Sequence, residues 1–104
     1  MVNPRINEAM FSAERACEQM VLIEDHLSLP DLRCPQCLRK HFLLCLGLLR
    51  EATQLDGAQQ LMLMLVPGCQ VVGQAFIDFC NGGDAAEICQ QIRDLRKAFV
   101  ANLF

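Results

Sequence analysis

The sequence predicts an all-α protein: a single-domain, antiparallel four-helix bundle that covers residues 1–104. Apolar residues recur three or four positions apart along most of the chain, which is the spacing of amphipathic helices. Apolar types make up 53% of the residues, while Trp and Tyr are absent and only six Phe are present. This composition is typical of an aliphatic helical core, and the length suits one domain. No segment shows the alternating pattern of a strand.

The first two helices are separated by a short interruption. The first begins near Pro4, and Ser28-Leu29-Pro30-Asp31 ends it because proline disfavours helix continuation. The second begins at Cys34-Pro35, since proline is favoured in the first turn. The stripe of the first helix is Ile6, Met10, Ala13, Cys17, Met20 and Leu27, and that of the second is Leu38, Phe42, Cys45, Leu49 and Ala52. The second helix is also apolar on its other faces (Leu43, Leu44, Leu46, Leu48), which predicts a central position or an oligomer interface.

The third and fourth helices follow two glycine-containing turns. Asp56-Gly57 precedes the third helix, which Pro67-Gly68 should kink or split. Asn81-Gly82-Gly83 ends it, and Asp84 with Glu87 three residues later predicts the start of the fourth helix. The apolar residues are Leu61, Met62, Leu65, Val72, Ala75, Phe76 and Phe79 in the third helix, and Ile88, Ile92, Leu95, Phe99 and Leu103 in the fourth.

Four candidate metal ligands lie between the first and second helices. His26, Cys34, Cys37 and His41 form the pattern H-x7-C-x2-C-x3-H, and imidazole and thiolate are the ligands that tetrahedral zinc prefers. Cys37 and His41 are four residues apart, so they share one helix face. The pattern predicts one structural Zn²⁺ per chain that clips the two helices together, because four protein ligands leave no open position for substrate. The plainer alternative is that these are ordinary thiols and surface histidines.

Each charged residue near this motif has more than one interpretation. Glu24 and Asp25 either accept the free ring N–H of a ligating imidazole or form a solvated acidic turn. Arg33, Arg39 and Lys40 either moderate the charge of a two-thiolate site, bind a partner's phosphate or carboxylate, or are simply solvated.

Seven cysteines without an N-terminal apolar signal segment predict a reducing, cytoplasmic location. Besides the two candidate ligands, Cys17, Cys45, Cys69, Cys80 and Cys89 are expected to be core residues. The longest apolar runs, 42–49 and 61–66, are shorter than the roughly 20 residues of a membrane span, so the sequence predicts a soluble protein with no membrane partner.

The segment C-x2-C-x3-H at a helix start resembles the thiol signature of the all-helical carboxymuconolactone decarboxylase and alkylhydroperoxidase D family. The resemblance covers about a tenth of the chain. It implies a thiol peroxidase or disulfide reductase in which Cys37 attacks peroxide and Cys34 resolves the disulfide. It also implies a proton relay through His41 and Glu24. His26 has no role in that pattern.

A second resemblance is to small uncharacterised helical proteins of phages and large DNA viruses. They carry a similar E-D-H-L segment followed by R-C-P-x-C-x-x-K-H, here residues 24–27 and 33–41. This resemblance keeps His26 together with the two cysteines and His41, as the metal interpretation requires, and implies no activity.

Three classes of function follow from these observations. The favoured one is a zinc-stabilised, non-enzymatic interaction or assembly module that acts as a homo-oligomer or as a subunit of a larger complex. The second is the thiol peroxidase that uses Cys34, Cys37 and His41. The third is a nucleic-acid-binding zinc module, which is weakly supported because the net charge is -3 and the basic residues are few: Arg33, Arg39, Lys40 and Arg50.

Overall fold

A computed structural model describes residues 4–29, 34–55 and 58–103 of the chain, and within them every regular element is helical. These residues form four α-helices and one short 3-10 helix, Ala58–Leu61, without any strand. The α-helices are α1 (Pro4–Ser28), α2 (Pro35–Gln54), α3 (Met62–Cys80) and α4 (Ala85–Leu103). The all-α prediction is therefore confirmed for this part of the chain. Pro30, Asp31, Arg33 and the predicted Asp56-Gly57 turn lie outside the described residues, as does the side chain of Ile6.

The starts of α2 and α4 show the caps that the sequence predicts. Cys34 has an extended backbone at the N-cap of α2, and its sulfur accepts a hydrogen bond from the backbone N–H of Cys37 at 3.3 Å. Pro35 occupies the first turn, where its missing N–H leaves no helical bond unmade. At α4, the Oδ1 of Asp84 accepts the N–H of Ala86 at 2.8 Å. Both caps satisfy donors that the first helical turn leaves without intrahelical partners.

The turn between α3 and α4 depends on two glycines. Gly82 has a φ of 78°, a left-handed conformation that costs glycine little. The next residue, Gly83, donates its N–H to the carbonyl of Asp78 at 2.7 Å, and a Cβ there would lie only 2.8 Å from that oxygen. The tight turn therefore requires both glycines that the sequence places there.

The helices enclose one apolar core. α1 packs against α2 and α4, and α3 packs against the same two helices. On α2 the predicted stripe is buried, but Leu43 is 57% and Leu44 is 43% exposed, so within one chain this helix is not enclosed on every face. The largest fully buried side chains come from all four helices: Met20, Ile23, Leu38, Phe42, Leu49, Leu65, Val72, Ile88, Ile92 and Phe99.

The third helix continues through Pro67 as one α-helix, so the structure does not split it at that residue. By length and composition, α3 could also span a membrane, a property that core helices of globular proteins share. Of that stretch, 22% is buried.

Gly68, the residue after Pro67, is buried, and a Cβ at this position would lie 2.8 Å from the ring of Phe99. Glycine therefore permits α3 and α4 to approach closely at this point.

Alanine in place of glycine should have opposite effects on stability at a crowded position, Gly68, and at an open one, Gly47. Gly68→Ala should lower the free energy of unfolding by about 1 to 2 kcal/mol, because the fully buried Phe99 must move. Gly47→Ala in α2, where a Cβ meets nothing within 4 Å, should raise it by up to about 1 kcal/mol through helix propensity. Urea denaturation of the two variants measures both values, and a stabilising Gly68→Ala would show that the contact is not restrictive.

Candidate metal centre

The two histidines of the motif lie beside each other where α1 ends and α2 begins. Their ring centroids are 5.0 Å apart, with an angle of 55° between the ring planes. His26 belongs to the last turn of α1, and His41 to the second turn of α2. The structure therefore brings together two residues that are fifteen positions apart in the sequence and lie on different helices.

Hydrogen bonds fix the tautomer of both imidazoles. The Nδ1 of His26 lies 2.8 Å from the backbone carbonyl of Leu22, and the Nδ1 of His41 lies 2.8 Å from the side-chain oxygen of Gln19. Since both partners are acceptors, Nδ1 is the donor in each ring, so in the neutral imidazole the lone pair lies on Nε2. This is the tautomer of an Nε2-ligating histidine whose other nitrogen is held by an oxygen.

The electrostatics around His41 favour its neutral form. Partial burial lowers the pKa of His41, and the charge that His26 carries when it is protonated, together with that of Lys40, lowers it further. A neutral imidazole is the form that binds a metal ion, because the protonated ring has no free lone pair.

The two cysteines form a second pair at the start of α2. Both are free thiols, Cys37 being exposed and Cys34 half-buried. Hydrogen bonds from the side chain and backbone of Cys37 lower the pKa of Cys34, while the same side-chain interaction raises the pKa of Cys37. The backbone N–H of Cys37 that reaches the sulfur of Cys34 stabilises a thiolate on Cys34, whereas the peroxidase resemblance implies that Cys37 is the attacking thiolate.

The structure forms these two pairs but does not join them. Among the residues described, no group of three or more His, Cys, Asp or Glu side chains could hold a metal ion as placed. His26 and His41 are in ring contact, and Cys34 and Cys37 are in hydrogen-bond contact. A four-ligand site would therefore require the side chains of the two pairs to move towards each other.

The carboxylate of Glu24 accepts hydrogen bonds from two arginines of α4, and not from a histidine as one interpretation of the sequence expected. Its Oε1 accepts from the Nε of Arg93 at 3.2 Å and from the Nη2 of Arg96 at 3.0 Å, and its Oε2 accepts from the Nε of Arg96. Glu24 is only 5% exposed, so this ion cluster is an internal link between α1 and α4. The neighbouring Asp25 is exposed. The atoms that orient the imidazoles are the Leu22 carbonyl and the Gln19 amide, which sequence reasoning did not single out.

The remaining cysteines divide into buried and accessible thiols. Burial raises the pKa of Cys45 to about 12 and that of Cys17 to about 11, so both stay protonated at neutral pH. Cys45 donates to the carbonyl of Ala16 at 3.6 Å inside the bundle, and Cys89 is also buried. In contrast to the prediction, Cys80 is exposed, while Cys69 is half-buried and packs against the core.

The basic residues Arg39, Lys40 and Arg50 are exposed on α2, while Arg33 lies outside the described residues.

Comparison with protein-family models, curated proteins and solved structures gives no match for this chain. Its function must therefore be inferred from its own residues.

Proposed function

We propose that the protein is a small, non-enzymatic assembly module in which His26, Cys34, Cys37 and His41 close on one structural zinc ion. The observation that carries this proposal is the pair of neighbouring imidazoles, each with Nδ1 held by an oxygen and Nε2 left with a lone pair. The two thiols belong to the start of α2, the helix that carries His41: Cys34 is its N-cap and Cys37 lies in its first turn. Two imidazoles and two thiols are a complete ligand set for tetrahedral zinc.

In the proposed site, zinc stabilises one arrangement of the helices. The contacts that support an antiparallel order of α1, α2 and α4 run from the end of α1 to the starts of its neighbours. His41 near the start of α2 contacts Gln19, and Cys89 near the start of α4 lies 3.3 Å from the hydroxyl of Ser28. A zinc clip between α1 and α2 would tie these segments together, because metal binding is coupled to folding when the ligands come from separate elements. A kink of α3 at Pro67 belongs to the same proposed architecture.

Two observations, one on the thiol pair and one on Glu24, favour this role over peroxide chemistry. The thiol that accepts a backbone N–H is Cys34 at the helix cap and not Cys37, and Glu24, the relay residue implied by the family resemblance, is hydrogen-bonded to Arg93 and Arg96. Both oxygens of this carboxylate already accept hydrogen bonds from the guanidinium groups of α4. The same two observations are compatible with a structural site.

Metal analysis tests the proposal directly. Protein purified without added metal should contain about one zinc per chain. Saturation with zinc at a concentration 100-fold above the dissociation constant adds about 2.7 kcal/mol to the free energy of unfolding. For a domain of this size, chelation should therefore lower Tm by roughly 10 °C.

Two variants make the test specific to these ligands. His26→Ala should lose both the zinc and the stabilisation, whereas Cys80→Ser, which changes an exposed thiol outside the motif, should keep both. The proposal is wrong if wild-type protein takes up no zinc when zinc is added, if Tm is indifferent to chelation, or if the chain consumes peroxide through Cys34 and Cys37.

A further inference from the structure

A groove with an acidic rim lies between α1 and α4. It has a volume of about 290 Å³, and its lining consists of Glu14, Cys17, Glu18, Val21, Arg96 and Val100. Val21 is 41% and Val100 is 50% exposed, so the single chain leaves the apolar lining partly open to solvent. An apolar centre with charged residues at its edge is the arrangement of a protein–protein contact.

The rim of this groove carries two carboxylates without a cation. Glu14 and Glu18 lie one turn apart on α1, both are exposed, and within the described chain neither forms an ion pair. Arg96 also lines the groove, but its guanidinium donates to both oxygens of Glu24, so its charge is already paired. The groove therefore suits an apolar side chain that has a cationic neighbour.

The outward face of α2 has the opposite charge. Its basic strip, as we call it, consists of four exposed residues at intervals of four, four and three positions, which lie on one helix face: Arg39, Leu43, Gly47 and Arg50. Leu43 is 57% exposed between the two arginines, and neither guanidinium forms an ion pair within the part of the chain that the structure describes. The other exposed charges of α2, on Lys40 and Glu51, are opposite in sign, so the face remains positive.

We infer that the groove of one copy binds the basic strip of a second copy of this chain. Leu43 of the second copy enters the groove beside Val21 and Val100. Arg39 lies one turn before Leu43, just as Glu18 lies one turn before Val21, so the arginine reaches this carboxylate when the leucine is seated. The charge comes first on both helices, so α1 and the second copy's α2 run in the same direction.

The contact is heterologous, because the groove and the basic strip share no residue and one copy can use both at once. Copies therefore join head to tail, either in a closed ring or in an open row. The candidate ligands Cys37 and His41 lie two positions before and after Arg39, which places them on a different face of α2 from the strip. The inference rests on the assembly role proposed above and names its partner, but it does not depend on the metal.

The experiment measures self-association of the full chain by analytical ultracentrifugation. The wild-type chain should associate at micromolar concentration, and higher salt should weaken the association because it screens the charges of rim and strip. Glu18→Lys and Arg39→Glu should each weaken it at least about tenfold, since each places like charges against each other. Leu43→Ala should weaken it about tenfold by removing the side chain that enters the groove.

A mixture of the two charge-reversed variants makes the test specific to this pairing. In an equimolar mixture of Glu18→Lys and Arg39→Glu, the introduced lysine meets the introduced glutamate, and the unchanged groove of one variant meets the unchanged strip of the other. The mixture should therefore associate within about threefold of wild type, although each variant alone is weak. The matched controls Glu8→Lys and Lys97→Glu reverse exposed charges outside the groove and the strip, and they should leave the association unchanged.

Several outcomes would overturn the inference. They are a wild-type chain that is monomeric at micromolar concentration, a mixture no stronger than the single variants, and an equal loss in Glu8→Lys. A monomeric chain that sediments with vesicles of phosphatidylcholine and phosphatidylserine would show that the basic strip meets anionic lipid instead. Zinc content measured on the same samples separates the two proposals. A folded, zinc-containing monomer would refute this contact alone, and a metal-free assembly would refute the zinc site alone.

Discussion

Replacing Phe42 by alanine is expected to lower the free energy of unfolding by about 3 to 5 kcal/mol, a large part of the stability of a domain of this size. Phe42 is fully buried on α2, and its ring stacks on those of Phe76 and Phe79 at centroid distances of 5.4 and 5.7 Å. Alanine would remove the ring from the contact between α2 and α3 and leave a cavity that close-packed neighbours fill only partly. Urea denaturation monitored by circular dichroism measures the loss.

The adjacent residue provides a matched control for this substitution. Leu43 follows Phe42 on the same helix but is 57% exposed, so Leu43→Ala should change the free energy of unfolding by no more than about 0.5 kcal/mol. Equal losses in the two variants would mean that α2 presents a different face to the core.

Replacing Glu24 by alanine is expected to lower the free energy of unfolding by roughly 2 to 3 kcal/mol at neutral pH. Breaking a fully buried ion pair costs about 3 to 5 kcal/mol. The arginines here are partly solvated, however, with side chains 38% exposed for Arg93 and 27% for Arg96, and this reduces the loss. Without the carboxylate, two neighbouring guanidinium groups would lie against α1 with no anion between them. Thermal unfolding of the variant at low and moderate salt gives the measurement.

Two further substitutions show whether the charge or the position matters. Glu24→Gln keeps the size and an acceptor oxygen, so it should fall between wild type and Glu24→Ala. Glu18→Ala changes an exposed carboxylate on the same helix and should alter stability by no more than about 0.5 kcal/mol. If Glu24→Ala were as stable as Glu18→Ala, the ion cluster would contribute nothing to the fold.

The helices were predictable because their signals are local. Pro35 and the cap at Cys34 set the start of α2, and Asp84 sets the start of α4, each through bonds within one turn. The continuous passage of α3 through Pro67 was less predictable. Whether a helix breaks at proline depends on the packing around it, and here Gly68 allows α3 to lie close against Phe99.

The candidate site was predictable only in part, because local spacing is visible in the sequence and packing between helices is not. Short spacing within one element places Cys34 beside Cys37, and the short segment between α1 and α2 allows His26 to reach His41. The residue that orients His41 is Gln19, twenty-two positions away on another helix. No local pattern distinguishes this glutamine from a surface residue, so only the packing of α1 on α2 reveals its role.

The link from Glu24 to Arg93 and Arg96 also has a consequence for how the protein is made. These partners are 69 and 72 residues apart in the sequence, so a growing chain acquires the carboxylate long before either guanidinium. Until α4 leaves the ribosome, burying α1 would place an unpaired negative charge in an apolar setting, which is unfavourable. The nascent polypeptide therefore completes this part of its fold only after α4 has been synthesised.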